Sequence, residues 1–271
     1  MRVQLDLNKS LEENAEHYFK KAKKARKKLQ GAKQAHAQAQ QAAKHAQAQA
    51  AKHAKKQSLK QPDTHWYHKY RWSKTRNGHL LIAGQNASAN EALIKQHAQT
   101  TDLVFHTDMS GSPFTLLRAT TDNPLTPQDR EDAAQLTAAY SKAWERGLST
   151  LDVFYVKPEQ VTKEAQSGEY LTKGSFMIRG ETNYHHPPVE LAIGVITQEG
   201  YHPQVFVGSQ EACKEHCATH AIIHPGTNKT SDVAKQLHKR FGGDLDAYVK
   251  AIPAGGSQIT DRGMPLKKLQ K

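Results

Sequence analysis

HWYHKYRWSKTRNGHLLIAGQNASANEALIKQH, from His65 to His97, sets a hairpin signal directly before a helix signal, and that pairing decides the fold class. Asn77-Gly78 is a strong two-residue turn signal, because the tightest hairpin turns need positive φ and these residues tolerate it. It separates Trp72–Thr75 from His79–Gly84, so a β-hairpin is expected. NASANEALIKQ, Asn86 to Gln96, then reads as a helix capped by Asn86. Its start follows a strand and the short Gly84, Gln85, Asn86 link, a geometry in which free N–H groups point at whatever binds. Before the turn, Trp66, Tyr67, Tyr70 and Trp72 are interleaved with Lys69, Arg71, Lys74 and Arg76. That mixture suits stacking on bases while gripping phosphate; equally, the rings can pack inward as an anchor with Lys69, Arg71 and Lys74 facing out.

Working downstream, strands are expected at Asp102–His106 and through FTLLRA, closed by the turn TDMSGSP, with a proline-marked loop at 122–129. Residues 128–146 read as one helix with Ala133, Leu136, Ala139, Tyr140, Ala143 and Trp144 on one side, stopped by Gly147. A strand follows at Val153–Val156, and after Pro187-Pro188 a buried strand at Val189–Ile196. Residues 197–271 repeat the β-then-α habit: strand HPQVFVG, helix SQEACKEHCATH, strand AIIHPG, helix SDVAKQLHKRFGG capped by Ser231, helix DLDAYVKAI, and a flexible or functional tail PAGGSQITDRG.

Upstream, residues 9–57 contain no proline and are dominated by Ala, Gln, Lys and Glu, so one long helix, or two, is expected. Ser10 and Glu13 have capping-box spacing. Leu11, Ala15, Tyr18, Ala22, Ala25, Leu29, Ala32 and Ala35 form an apolar stripe that thins to alanine beyond Gly31. Residues 20–30 hold seven Lys or Arg and no acid, the composition of a basic rod that lies along RNA or of a solvated helix. His36, His45 and His53 do not form a metal face, because a step of nine residues turns a helix by about 180°.

The chain has 271 residues, a net charge of +12, a pI near 9.5 and a mean hydropathy of −0.77. Such a balance draws the protein to nucleic acid or another anionic surface. No apolar run approaches the roughly 18 residues of a membrane span, and the first residues lack a secretory apolar segment. With Cys213 and Cys217 the only cysteines, a reducing cytoplasm is the expected compartment. Cys213, His216, Cys217 and His220 share one face of the expected helix, but four side chains of one helix cannot wrap a tetrahedral zinc. No phosphate-loop, dinucleotide or nucleophile-elbow pattern is present.

VTKEAQSGEYLTKGSFMIRG, Val161 to Gly180, is the densest collection of candidate contacts. Lys163, Lys173 and Arg179 supply charge, Ser167, Tyr170, Thr172 and Ser175 supply neutral donors, and Gly168, Gly174 and Gly180 permit close backbone approach to phosphate. His106 and Asp108, at the end of an expected strand, could join Glu169 and Lys173 in a hydrolytic site, yet metal nucleases need several clustered carboxylates and none are clustered here.

The strings GEYLTKGSFMIRG (168–180), HWYHKYRWSKTRNGHLLIAGQNASANEALIKQH (65–97), DLVFHTDMSGSP (102–113) and DAAQLTAAYSKAWERG (132–147) together resemble NFACT-R, the RNA-binding module of the NFACT proteins, the NEMF and RqcH factors of ribosome-associated quality control. KSLEENAEHYFKKAKKARKKLQGAKQA (9–35) resembles the start of that family's coiled-coil arm, and the last 75 residues resemble the C-terminal extension of archaeal members. The resemblance implies a stand-alone, archaeal-like form without the family's N-terminal domain, leaving room for a partner chain that supplies it. It implies a non-catalytic protein of translation or quality control that binds tRNA or large-subunit ribosomal RNA, works on the large ribosomal subunit and needs no cofactor. In the family's HTD-x-x-G-S segment, Ser110 stands where many relatives carry histidine, which puts an acid–base role there in doubt. An RNA-processing enzyme using His106 and Asp108, or a protein adaptor working through the arm, are the competing readings.

The expected architecture is therefore α/β (α+β): a mixed β-sheet core with flanking helices, preceded by a long basic helical arm. The expected domains are a coiled-coil arm at 1–60, an RNA-binding core at 61–196 and a C-terminal α/β extension at 197–271. The expected RNA contacts are Lys69, Arg71, Lys74, His106, Asp108, Lys163, Ser167, Gly168, Tyr170, Thr172, Lys173, Gly174, Ser175 and Arg179.

Overall fold

The computed structural model describes residues 3–57, 59–60, 64–120, 122–164 and 172–260, and it divides into an arm up to residue 59 and a body from residue 60. The arm is one helix, α1 (Leu11–Gln57), about 70 Å long at 1.5 Å per residue. Its start is fixed as the sequence predicts: Glu13 N–H donates to Ser10 Oγ (3.1 Å) while Ser10 N–H donates to the Glu13 carboxylate (2.8 Å). Residues 3–9 fold back onto it, Asp6 N–H donating to Asn14 Oδ1 (2.9 Å) and the Tyr18 hydroxyl to the Gln4 carbonyl (2.5 Å). Leu11, Phe19 and Leu29 remain exposed.

The body opens with a 3-10 turn, Trp66–Lys69, and the hairpin β1 (Arg71–Lys74) and β2 (Leu80–Ala83). Gly78 takes φ +89° between them, the left-handed conformation the Asn-Gly turn demands. Asn86 caps α2 (Ala87–Ala92), accepting from Ala89 N–H, and the helix runs on as a π turn through Leu93–His97. Then come β3 (Leu103–Thr107), β4 (Thr115–Leu117), α3 (Pro127–Ala139), α4 (Lys142–Glu145) and β5 (Val153–Val156). Short strands β6 (Val161–Thr162) and β7 (Met177–Ile178) pair with each other, and β8 (Asn183–His185) follows. The remainder is β9 (Leu191–Ile196), β10 (Gln204–Gly208), α5 (Gln210–His216), β11 (Thr219–Asn228), α6 (Thr230–Phe241), α7 (Leu245–Ala251) and β12 (Ser257–Thr260).

These strands build a six-stranded sheet in the order β1-β2-β4-β3-β5-β8 and a four-stranded sheet in the order β10-β9-β11-β12. All of the strand pairs are antiparallel. The α+β class and the long basic arm are those the sequence predicts. One core joins the two sheets: Leu81, Phe105 and Leu117 of the first and Leu191, Ile193 and Ile223 of the second pack into the same cluster as α3. A helix held between two sheets has no solvent face. The sequence meets that demand with DAAQLTAA, in which Asp132, Ala133, Ala134, Leu136, Thr137, Ala138 and Ala139 are all buried. Alanine lets the backbone approach closely on every side, which is why α3 shows so little amphipathic contrast. Its start is fixed by a reciprocal cap between Thr126 and Asp129 with Pro127 in the first turn.

Buried charge locks the hairpin turn to this helix. Asp132 accepts from Arg76 N–H (2.8 Å), from the Arg76 guanidinium (2.7 and 3.1 Å) and from the Ser209 hydroxyl (2.6 Å). Asp129 accepts from Thr75 Oγ1 (2.5 Å), Thr126 N–H (2.8 Å) and Asn77 Nδ2 (3.2 Å). Burial pushes the Asp129 carboxyl up, but these donors outweigh it and hold it below the ordinary carboxylate range.

Several expectations are corrected here. The helix expected over 128–146 breaks at Ser141, whose Oγ donates to the Ala138 carbonyl (2.7 Å) and accepts from Ala143 N–H (3.1 Å), a local alternative to helical bonding. The helix expected to carry Cys213, His216, Cys217 and His220 ends at His216; Cys217 is extended (φ −108°, ψ 141°) and His220 lies in β11 opposite Gly194. The shared helical face of those four residues therefore does not exist, and His216 Nε2 instead contacts the Thr75 carbonyl at 2.7 Å. Among the described residues no three His, Cys, Asp or Glu side chains gather as a metal site. Lys229, not Ser231, occupies the N-cap of α6. The stretch expected as a flexible or functional tail contains the strand β12, Ser257–Thr260 pairing with β11. No helix among the described residues is long and apolar enough to cross a membrane.

Burial also sets an acid limit on the fold. His68, His97, His106, His185 and His220 are all pushed below the ordinary imidazole range, in each case chiefly by burial. Once the pH falls below about 6.5 the unfolded chain binds protons that the folded chain refuses, so stability falls with pH from there down to the folded values. The expected result is a urea midpoint that drops between about pH 7.5 and 5.5; a flat profile over that interval would contradict the assignment of these histidines as neutral.

Candidate nucleic-acid interface

A cleft of about 590 Å³ opens on the body between three segments: the β3–β4 turn, the start of α2 and the turn around Lys173–Phe176. Each wall has a local cause. In the β3–β4 turn, Thr107 Oγ1 accepts from Met109 N–H (3.1 Å) and bonds the Ser112 hydroxyl, while Ser112 Oγ donates to the Met109 carbonyl (2.9 Å). Asn90, buried, ties α2 to the same turn by accepting from Phe114 N–H (3.2 Å). Gly84 makes that possible, because a Cβ there would lie 1.9 Å from Asn90 Oδ1.

Glu91 builds the third wall. It bonds Lys95 Nζ (2.7 Å), Gly174 N–H (3.1 Å) and Lys163 Nζ (3.3 Å). Lys95 first, then the Gly174 N–H and Lys163, lower its carboxyl to about 2, so it stays ionised through the physiological range. Gly174 has φ +81° and packs directly on Ala87, where a Cβ would lie 2.6 Å from the Ala87 Cα. Thr172 and Ser175 bond hydroxyl to hydroxyl (2.9 Å) across the turn. Lys163 Nζ sits 4.7 Å from the Phe176 ring centroid and also donates to the Thr172 carbonyl (3.3 Å).

At the floor, the Arg71 guanidinium lies 4.5 Å from the centroid of Tyr140. Burial raises the Tyr140 phenol to about 12, and its hydroxyl donates to the Ala251 carbonyl (2.6 Å), so it is a neutral platform. His106 stacks on Phe114 with centroids 4.1 Å apart. Burial pushes His106 down against the opposing pull of the Thr107 and Ser112 backbone and of Asp108, so at neutral pH it is an uncharged ring rather than a phosphate cation. Asp108 is exposed, with the Tyr184 hydroxyl at 3.4 Å. Lys173 is exposed at the rim and pairs with none of the described residues.

The pattern of the NFACT protein RNA binding domain matches residues 69–180. This segment belongs to that domain family. All residues lining the cleft, from Arg71 to Ile178, lie inside the matched stretch. The archaeal Rqc2 homolog aRqcH of Methanocaldococcus jannaschii is 34% identical over 201 residues, covering 73% of this chain and 30% of that protein. Ribosome quality control complex subunit NEMF of Homo sapiens is 31% identical over 185 residues, 67% of this chain and 17% of that protein. Ribosome quality control complex subunit 2 of Schizosaccharomyces pombe is 31% identical over 132 residues, 48% of this chain and 13% of that protein. The chain thus spans less than a third of the length of these relatives.

Of the contact residues expected from the sequence, the NFACT domain gathers Arg71, His106, Asp108, Lys173, Gly174 and Ser175 around the cleft. Thr172 flanks it through Ser175. Others stand apart. Lys163 is engaged by Glu91, and the Gly174 N–H donates to the same carboxylate. Arg179 pairs with Glu164 at 3.2 Å beyond β7. Lys69 is exposed on the 3-10 turn with Nζ 5.2 Å from the Tyr70 ring, and Lys74 ends β1; neither lines the cleft. Ser167, Gly168 and Tyr170 lie outside the described residues. The aromatic stretch divides: Trp72 packs against Phe206 (6.2 Å), whereas Trp66 is 42% exposed and stacks on His97 at 4.1 Å. Asn90, Glu91, Phe114 and Phe176 were not among the expected residues. Their only sequence signal was position, within the capped helix or beside the turn and loop already singled out.

Proposed function

We propose that the NFACT domain of this chain binds RNA across the face that holds the cleft, as a non-catalytic factor of translation or ribosome-associated quality control. The observation that carries the reading is the cleft itself: a lysine at its rim that pairs with none of the described residues, an arginine at its floor and stacked rings along its wall, all within the matched domain. Cation plus ring is the combination that unpaired nucleic acid asks for. The names of the relatives, which are ribosome quality control factors, support a ribosomal setting, with tRNA or large-subunit ribosomal RNA as target and the cytoplasm as compartment. The basic run from Lys20 to Lys28 on α1 offers a second, sequence-independent contact to phosphate. A domain plan of arm, RNA-binding core and C-terminal extension goes with this reading.

Binding measured against tRNA and against large-subunit ribosomal RNA fragments, each over a salt series, tests it. Affinity should fall steeply with salt. Lys173→Ala should weaken both RNAs to a similar degree and lower the salt slope by about one. Salt-insensitive binding, or an unchanged slope in the variant, would remove Lys173 from the interface.

A further inference from the structure

The floor and walls of the cleft carry a chemistry that a paired backbone cannot use. Arg71 donates from Nη1 to the Gly84 carbonyl at 3.4 Å, but its Nε is buried with no hydrogen-bond partner. That Nε is closed off from the cleft, so what Arg71 presents to a ligand there is the charge of its guanidinium. Lys173, exposed at the rim, pairs with none of the described residues. Between them stand the half-buried rings of His106, stacked on Phe114 at 4.1 Å, and Phe176, edge-on to Phe114 at 5.2 Å and 76°; Phe114 itself is only 3% exposed and backs the other two from the core. Asp108, on the same lining, would repel a phosphate and instead accepts from N–H or hydroxyl donors. A cavity of about 590 Å³ is within the range that holds a small molecule. It is far too small for a helix of RNA.

We infer that the cleft receives one unstacked nucleotide from a single-stranded RNA segment, its phosphate on Arg71 and Lys173, its base against the half-buried His106 and Phe176 rings and its donor groups turned to Asp108. The inference rests on the RNA-binding reading above and narrows it. Unpaired loops and ends are where bases are free to leave the stack and offer both a ring face and an edge. A duplex offers neither.

The full chain is titrated with an RNA hairpin carrying a seven-nucleotide loop and with a blunt duplex of equal length, and the hairpin, with 4-thiouridine in its loop, is photocrosslinked and mapped by mass spectrometry. The expected result is hairpin affinity about tenfold or more above duplex affinity, with crosslinks within residues 106–114 or 173–178. Phe176→Ala should lower hairpin affinity about tenfold and leave duplex affinity unchanged. Because the crosslink map uses the unaltered chain, it stands even where a variant folds poorly. Equal affinity for both RNAs with crosslinks elsewhere would overturn the nucleotide cleft and leave RNA binding intact; no binding of either at low salt would overturn both.

Discussion

Asp132→Ala is expected to cost about 3 kcal/mol or more of folding stability, since a buried, multiply bonded carboxylate is lost and its donors are left behind. The carboxylate is 1% exposed and holds three elements at once: the hairpin turn through the Arg76 backbone and guanidinium, the N-cap of α5 through Ser209, and α3, on which it sits. Alanine leaves the Ser209 hydroxyl without its acceptor in the core and the Arg76 charge, itself only 26% exposed, with only the longer pair to the exposed Glu131 (3.6 Å). The change would be read as a lower urea midpoint at unchanged slope. Asp152→Ala is the matched control: its pair with His186 is short, 2.6 Å, but both side chains are more than 60% exposed, and such pairs contribute little. If the two variants lost stability equally, the buried network would not be what joins the two sheets.

That network explains what could and could not be read from the chain. Local signals were sufficient for the hairpin, because Asn77-Gly78 fixes a turn through its own backbone preference, and for the starts of α1 and α2, where Ser10 and Asn86 bond N–H groups three residues on. Interruptions fared worse. Ser141 carries no stronger mark than any other serine, and it ends a helix only because its hydroxyl finds Ala138 and Ala143 in reach. The strand β12 was invisible because its identity comes from pairing with β11, whose partner residues lie 29 to 38 positions earlier. The site divides along the same line. A loop rich in donors drew notice to Lys173 and Ser175. Nothing local marks Glu91 as the group that holds this loop, since its bond to Gly174 spans 83 residues of sequence.

Gly174→Val is expected to weaken RNA binding about tenfold or more, while the melting temperature of the body shifts by only a few degrees. The two effects separate because of where the glycine sits. Its φ of +81° is a conformation that a β-branched residue resists, and the new Cβ would lie 2.6 Å from the Ala87 Cα and 2.7 Å from its carbonyl oxygen. Backbone of a capped helix cannot yield by that much, so the turn lifts from α2 instead. Glu91 then loses the Gly174 N–H, and Lys173 and Ser175 leave the cleft wall. The core between the sheets, with Trp144 and Phe105 at its heart, contains neither Gly174 nor Ala87. Gly78→Ala supplies the contrast: φ there is +89°, but nothing lies within 4 Å of the added Cβ, so the substitution strains the hairpin turn without moving the cleft. It should therefore lower stability and spare RNA affinity. Wild-type RNA affinity in Gly174→Val, measured beside that control, would mean the turn from Lys173 to Phe176 is not part of the binding surface.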